Sequence, residues 1–275
     1  MDLGRIDLEH TLTCGQAFRW WRRGEWWEGV VSGKLVRLWQ RGRRVEVESD
    51  LEGSALERYF RADDDQEAIL RSISKDEYVA GLVRRFPGLR LLRQDPWECS
   101  ASYILATFSN IPRIKGMIER ICALYGDEVA PGLMSFPRPR DILSDEGAAR
   151  TCGLGFRCGR FLEYARRVDG GGVDFESLRA MGYGEAHRRL VALEGIGGKV
   201  ADCVAVFSLD HLEAFPVDVR IGRVLKDRYG MTGGYSRLSR QARERFGPYG
   251  GYAQEYIYYA EDRKNRDRGI TRSGS

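Results

Sequence analysis

Apolar positions along the chain follow two different periods. Between residues 15 and about 50, short runs rich in Trp, Val and Phe are separated by Gly24, Gly33 and Gly42. Aromatic and β-branched runs between glycine turns predict an antiparallel meander. Over residues 43–48, apolar residues alternate with charges, the period of a strand with one face in the core and one in water. Trp20, Trp21, Trp26, Trp27 and Trp39 fall in this stretch. They read as core and sheet-face packing rather than as a platform for stacked bases.

After about residue 54 the period becomes helical. Ile114, Ile118, Ile121, Cys122 and Tyr125 share one helical face. So do Val200, Cys203, Val204 and Phe207, and again Ile221, Val224 and Leu225. Breakers stand between these segments at 87–89 (PGL), 94–96 (QDP), 136–140 (FPRPR) and 170–172 (GGG). The pattern predicts an α+β protein: a small β-rich domain over 1–92, a helical body of roughly ten helices over 93–265, and a polar tail over 266–275. No tandem repeat is visible.

Composition narrows the field only modestly. A hydrophobic fraction of 43% suits a globular chain. The net charge of +4 is weak evidence for an anionic partner, but most of the 44 basic residues are arginines, which suit phosphate and base edges. The six cysteines form no C-x-x-C pair, and His10, His187 and His211 are scattered, so no zinc site is expected. No apolar run approaches the roughly 18 residues of a membrane span. With no leader peptide recognisable, the thiols are expected to be reduced and the protein intracellular, in cytoplasm or nucleoid if the cell is prokaryotic.

The chemistry concentrates in residues 193–220, LEGIGGKVADCVAVFSLDHLEAFPVDVR. A helix is predicted to end near Leu193 and another to begin near Lys199. Between them Gly195, Gly197 and Gly198 allow a tight hairpin whose N–H groups can approach a phosphate. A helix–helix turn without a ligand explains those glycines equally. Asp218, after Pro216 and before the apolar positions of the next helix, is placed to cap it, which by itself requires no chemistry. An amine at a helix start, however, can serve as a nucleophile once it loses its proton, and helix dipole and desolvation both favour that loss. A carboxylate nearby would stabilise positive charge developing on a sugar.

Taken together, L-x-G-I-G-x-K-V-A-D-C followed by V-D-V nineteen residues after its lysine resembles the helix-hairpin-helix DNA glycosylases with a Gly/Pro–Asp loop. That resemblance implies a hairpin gripping DNA backbone through Gly195, Gly197 and Gly198, with Lys199 attacking C1′ and Asp218 as its acidic partner. Within the superfamily the iron–sulfur branches carry four clustered cysteines near the C-terminus. Here none follows Cys203, so no cluster is expected. The alkylbase branch lacks the lysine. The closest resemblance is to the 8-oxoguanine DNA glycosylases of the eukaryotic type, and it runs through nearly the whole chain.

It rests on TCGQAFRW near the start, RLLRQDPWEC at 90–99, NIPRIKGMIER at 110–120, GLGFRCGRF at 153–161 and YAQEYIYY at 252–259. It implies a lesion pocket of Gly15, whose carbonyl would accept the N7–H that 8-oxoguanine has and guanine lacks, with Cys203, Gln254 and Tyr258. It further implies opposite-base and wedge residues Phe108, Asn110, Arg113, Phe156 and Arg157, and a phosphate contact at Arg220. Two positions depart from the family pattern. Phe108 stands where an asparagine fills the gap left by the flipped base, and Arg220 replaces a histidine.

The implied activity is excision of 8-oxoguanine from duplex DNA, preferentially opposite cytosine, followed by Schiff base formation and β-elimination. No cofactor is expected for the chemistry. The superfamily's hairpin cation, monovalent or divalent, would fall on the backbone carbonyls of Val191, Leu193 and Ile196. The expected partner is lesion-bearing double-stranded DNA, with no membrane, and the protein is expected to be a monomer. Competing readings are a glycosylase for another damaged base and a DNA-binding module without catalysis. Lys199 with Asp218 argues against the second, because a phosphate clamp needs neither. The pocket set argues against the first.

Overall fold

In the computed structural model, which describes residues 3–267, the alternating N-terminal segment forms an antiparallel meander in the order β1-β2-β3-β4. The strands are β1 (Trp20–Arg23), β2 (Trp26–Val31), β3 (Lys34–Arg41) and β4 (Arg44–Ser49). Each is joined to the next by a two-residue turn, and the three glycines carry the left-handed geometry. Gly24 and Gly42 take φ +60° at the first central position, while Ser32 and Gly33 both have positive φ. These are the turns whose twist matches that of paired strands. Val45 points inward on β4 while Arg44 and Glu46 face solvent. Trp20 and Trp27 are buried, and Trp26 packs on Trp39 across the outer face at 5.6 Å between ring centroids.

Helices surround this sheet in sequence as well as in space. A short α1 (Leu8–Thr13) precedes it, and α2 (Gly53–Tyr59), α3 (Gln66–Ile73) and α4 (Glu77–Arg85) follow. The body then contains α5 (Pro96–Leu105), α6 (Ile111–Tyr125), a small hairpin of β5 (Glu128–Ala130) and β6 (Leu133–Met134), α7 (Pro139–Leu143), α8 (Glu146–Ala149) and α9 (Arg157–Asp169). It continues through α10 (Phe175–Ala180), α11 (Tyr183–Val191), α12 (Gly198–Ser208), α13 (Val219–Tyr229), α14 (Tyr235–Phe246) and α15 (Gly250–Asp267). Helix α15 thus extends into the segment expected as a polar tail, and residues 268–275 of that tail lie outside the described residues.

Capping sets many of these boundaries. Asp65, Asp76, Asp95, Asn110, Asp174 and Asp218 each accept a backbone N–H from the first turn of the helix that follows. Each satisfies a donor that the helix itself cannot pair.

Two apolar cores result. The smaller joins the sheet's inner face to α1 and α2, through Leu8, Leu12, Trp20, Trp27, Leu38, Leu56 and Phe60. The larger includes Ile69, Ile73, Val79 and Leu82 of α3 and α4 as well as the helical body. So these two helices, N-terminal to residue 92, pack with the body rather than with the sheet. At its centre lie α5 and α12, buried along nearly their whole length, and most of α15. Apolar residues on every face leave such helices no solvent side. Among the described residues no helix is long and apolar enough to cross a membrane.

Candidate active site

Helix α11 ends at Val191 and α12 starts at Gly198, with the glycine hairpin between. Gly195 has φ +86°, a conformation that side-chain-bearing residues rarely adopt. A Cβ on Gly198 would stand 2.7 Å from the ring of Tyr235, so a glycine is required for the two to pack. Gly197 is open and exposed, with its backbone facing solvent at the helix start. The hairpin's own Ile196 N–H donates to Leu193 O at 3.2 Å.

Lys199, the second residue of α12, is only partly exposed. Its Nζ lies 4.9 Å from the centroid of the Tyr103 ring, and Cys203 follows one turn on. Burial pushes the Cys203 thiol up to about 12, against the pull of the neighbouring lysine. Asp218 caps α13, its Oδ1 accepting from Ile221 N at 2.8 Å. One carboxylate oxygen is thereby held by the backbone. Two residues later Arg220 pairs with Asp262 at 2.7 Å and lies 5.5 Å over the Tyr258 ring.

Gly15 faces this group from the N-terminal segment. With φ +97°, it lies so close to α15 that an added Cβ would meet a Tyr258 ring carbon at 3.1 Å and Ile111 at 3.5 Å. Its neighbour Gln16 is the anchor. Gln16 Nε2 donates to Arg90 O at 2.8 Å and Thr11 O at 3.0 Å, and its Oε1 accepts from Leu92 N at 2.7 Å. Its carbonyl accepts from Tyr103 and Gln94 side chains. The GQ pair therefore divides the work: glycine approaches the pocket and glutamine fixes it. Gln254 on α15 is buried with Oε1 unpartnered, an acceptor awaiting a donor.

A second cluster surrounds the loop before α6. Phe108 has φ +50° and is 87% exposed, with its ring 6.3 Å from that of Phe156, itself largely exposed. Asn110 caps α6 by accepting from Arg113 N at 3.0 Å, and the Arg113 side chain is exposed. Arg157 differs from the free guanidinium that the sequence suggests. It is 2% exposed and donates to the carbonyls of Thr107 (2.7 Å), Phe108 (2.8 Å) and Leu154 (3.4 Å). Burial and nearby Arg113 lower its affinity for its proton. Physically this is a clamp: loop carbonyls without a helix or strand partner are satisfied by a buried donor fork.

The structure thus sets Gly15 against Tyr258 and Ile111, and groups Phe108, Phe156 and Arg157 around the loop before α6, with Asn110 and Arg113 at that helix's start. Two residues with no role assigned from sequence also belong here. Asp202, fully buried, accepts from Tyr183 at 2.6 Å, from Tyr235, and from Ser239 at 3.1 Å, tying α12 to α11 and α14. Glu255, beside Gln254, is 2% exposed, with one carboxyl oxygen unpartnered. Both are charged residues within helices, which sequence alone reads as solvated. Only burial distinguishes them.

Among the described residues no group of His, Cys, Asp and Glu could hold a metal ion. All six cysteines are free and buried.

Comparison with known proteins points to one family. A family model described as 8-oxoguanine DNA glycosylase, N-terminal domain, matches residues 1–99. The N-glycosylase/DNA lyase OGG1 of Arabidopsis thaliana is 32% identical over 238 residues, covering 80% of this chain and 65% of the relative. The Saccharomyces cerevisiae N-glycosylase/DNA lyase is 29% identical over 271 residues, covering 84% and 70%. The chain therefore spans about two thirds of the length of these relatives. The Clostridium acetobutylicum 8-oxoguanine glycosylase/lyase, solved with double-stranded DNA containing cytosine opposite 8-oxoG, superposes with a TM-score of 0.88. It is 28% identical, over 97% of this chain and 93% of that one. With a family model, curated relatives and a structure of nearly equal length in agreement, the chain belongs to the 8-oxoguanine DNA glycosylase family.

Proposed function

We propose that this protein excises 8-oxoguanine from duplex DNA, preferentially opposite cytosine, and then cleaves the strand as a lyase. What supports the reading is an amine at a helix start, Lys199, a backbone-fixed carboxylate, Asp218, and a buried acceptor without a donor, Gln254, in a chain matching N-glycosylase/DNA lyases. The flipped lesion would lie between Tyr258 and the Cys203 face. Gln254 would accept from its pairing edge and Gly15 from its N7–H. Guanine has a lone pair at N7, so the same carbonyl would repel it.

In the chemical step Lys199 Nζ forms a bond to C1′ as the bond from C1′ to the base nitrogen breaks. Asp218 stabilises the positive charge on the sugar. The departing base takes a proton, the lysine nitrogen loses one, and the C1′–O4′ bond breaks with O4′ protonated to leave the Schiff base; loss of a C2′ proton from it would then expel the 3′ phosphate by β-elimination. Exposed Arg113 would face the estranged cytosine, Arg157 would hold the loop carrying Phe108, and Phe108 and Phe156 would occupy the gap. The relatives named N-glycosylase/DNA lyase and the clostridial complex with cytosine opposite 8-oxoG support the same reading.

A cation at the hairpin would be held by carbonyls of Val191, Leu193 and Ile196. An all-carbonyl donor set fits a hard cation. Leu193 O already accepts from Ile196 N but keeps a second lone pair. The ion would neutralise DNA phosphate charge there and leave the chemistry to Lys199 and Asp218. Action on DNA places the protein in the compartment that holds the DNA, and neither reaction step calls for a second subunit.

Cleavage of an end-labelled duplex with 8-oxoguanine opposite each of the four bases tests the reading. Product is expected first and fastest opposite cytosine. An intact strand opposite all four bases, with binding retained, would overturn it.

A further inference from the structure

We infer that Arg160 of α9 binds a DNA phosphate beside the glycine hairpin. The inference rests on the DNA-binding reading above and adds a side chain to the hairpin's backbone grip. Gly195 lies directly against the aliphatic stem of Arg160: a Cβ added to the glycine would stand 3.0 Å from Arg160 Cβ and 3.6 Å from both Cγ and Cδ. The contact needs a glycine on two counts, for that space and for its φ of +86°. The three stem carbons are taken up by the hairpin, and the guanidinium lies beyond them. Arg160 is exposed. Among the described residues its guanidinium has no hydrogen bond, ion pair or aromatic ring as partner. Glu163, one turn on, pairs with Arg166 instead, and the hairpin's exposed Glu194 forms no ion pair with it.

A second observation fixes where that cation stands. Arg160 follows Arg157 by three residues, a spacing that makes the two neighbours on one helix face. Arg157 donates to the carbonyls of Thr107 and Phe108 and so holds the loop that exposes the Phe108 ring. The first turn of α9 therefore supports the loop assigned to the opposite base, and the next residue on that face supports the hairpin assigned to the backbone. A duplex that engages both elements must pass Arg160 between them. A guanidinium there matches a phosphate in charge and in its two-pronged hydrogen-bond geometry. Its stem is already held by Gly195, so it loses less rotamer freedom on contact than a free surface arginine would.

The test is the salt dependence of binding, measured from about 50 to about 200 mM salt on an undamaged duplex and on an 8-oxoguanine:cytosine duplex. Wild type is compared with Arg160→Met, which keeps an unbranched stem against Gly195 without the charge, and with Arg160→Lys, which keeps both. Arg160→Met is expected to reduce the slope of log affinity against log salt by about one unit on both duplexes. Its deficit relative to wild type should accordingly shrink about fourfold across that range. Arg160→Lys should restore the slope. A wild-type slope from Arg160→Met would overturn the proposal and leave Arg160 as a support for the hairpin alone. A slope from Arg160→Lys as low as that of Arg160→Met would overturn it too, because the cation would then not be what counts. The readout is binding and not chemistry. Wild type that shows the Arg160-dependent slope but excises nothing would reject the glycosylase reading and leave the phosphate contact standing.

Discussion

The guanidinium of Arg157 donates to the carbonyl of Phe108 at 2.8 Å, so a buried arginine of α9 holds the exposed loop that presents a phenyl ring to solvent. Any part Arg157 takes in discriminating for cytosine would therefore act through its hold on the loop. Arg157→Ala leaves part-buried loop carbonyls without their donor, at up to about 1–3 kcal/mol. It is expected to lower thermal stability measurably and to bring excision opposite adenine closer to that opposite cytosine. A variant with unchanged melting temperature would contradict the clamp.

Phe108 occupies a left-handed conformation that asparagine tolerates better. Phe108→Asn is accordingly expected to be no less stable than wild type. It should also be more selective for cytosine, because an amide reads hydrogen-bond patterns and a phenyl ring does not. Excision rates opposite cytosine and adenine, compared with wild type, check this. Equal selectivity in the two proteins would remove Phe108 from the account.

At Gly15 both backbone and space exclude a side chain. Gly15→Ala would strain the φ of +97° and push on the Tyr258 ring, at about 1–3 kcal/mol for the backbone alone. Excision is expected to fall at least tenfold while binding to undamaged duplex is retained, since the hairpin is untouched. Undiminished excision by this variant would show that the Gly15 carbonyl does not read the lesion.

Arg220 pairs with Asp262 at 2.7 Å and is proposed to contact a DNA phosphate. If it meets a phosphate, Arg220→Ala should reduce the slope of log affinity against log salt by about one unit on lesion and normal duplex alike. An unchanged slope would confine Arg220 to its ion pair at 2.7 Å.

How much of this was legible in the sequence depended on whether the deciding contact was local. The meander was readable because glycine turns and alternation lie within a few residues of each other. The Asp218 cap was readable for the same reason. Helices α3 and α4 were harder: their apolar faces are clear, but only the fold reveals that they pack against α15 instead of the sheet. The residues expected around Lys199 were named from family resemblance, residue by residue. The burial of Arg157 could not, because its acceptors are carbonyls some fifty residues away, carrying no side-chain signature. Asp202 and Glu255 were invisible for a related reason. A charged residue in a helix reads as solvated until three-dimensional packing encloses it.

The central claim, that Lys199 is the attacking amine, is tested most directly by borohydride trapping on a duplex carrying 8-oxoguanine opposite cytosine. Reduction of the Schiff base should yield a stable protein–DNA adduct with wild type. Lys199→Gln should yield none while still binding the duplex, and peptide mapping of the wild-type adduct should place the link at Lys199. An adduct of undiminished yield from Lys199→Gln, or a link mapped to another residue, would contradict the account.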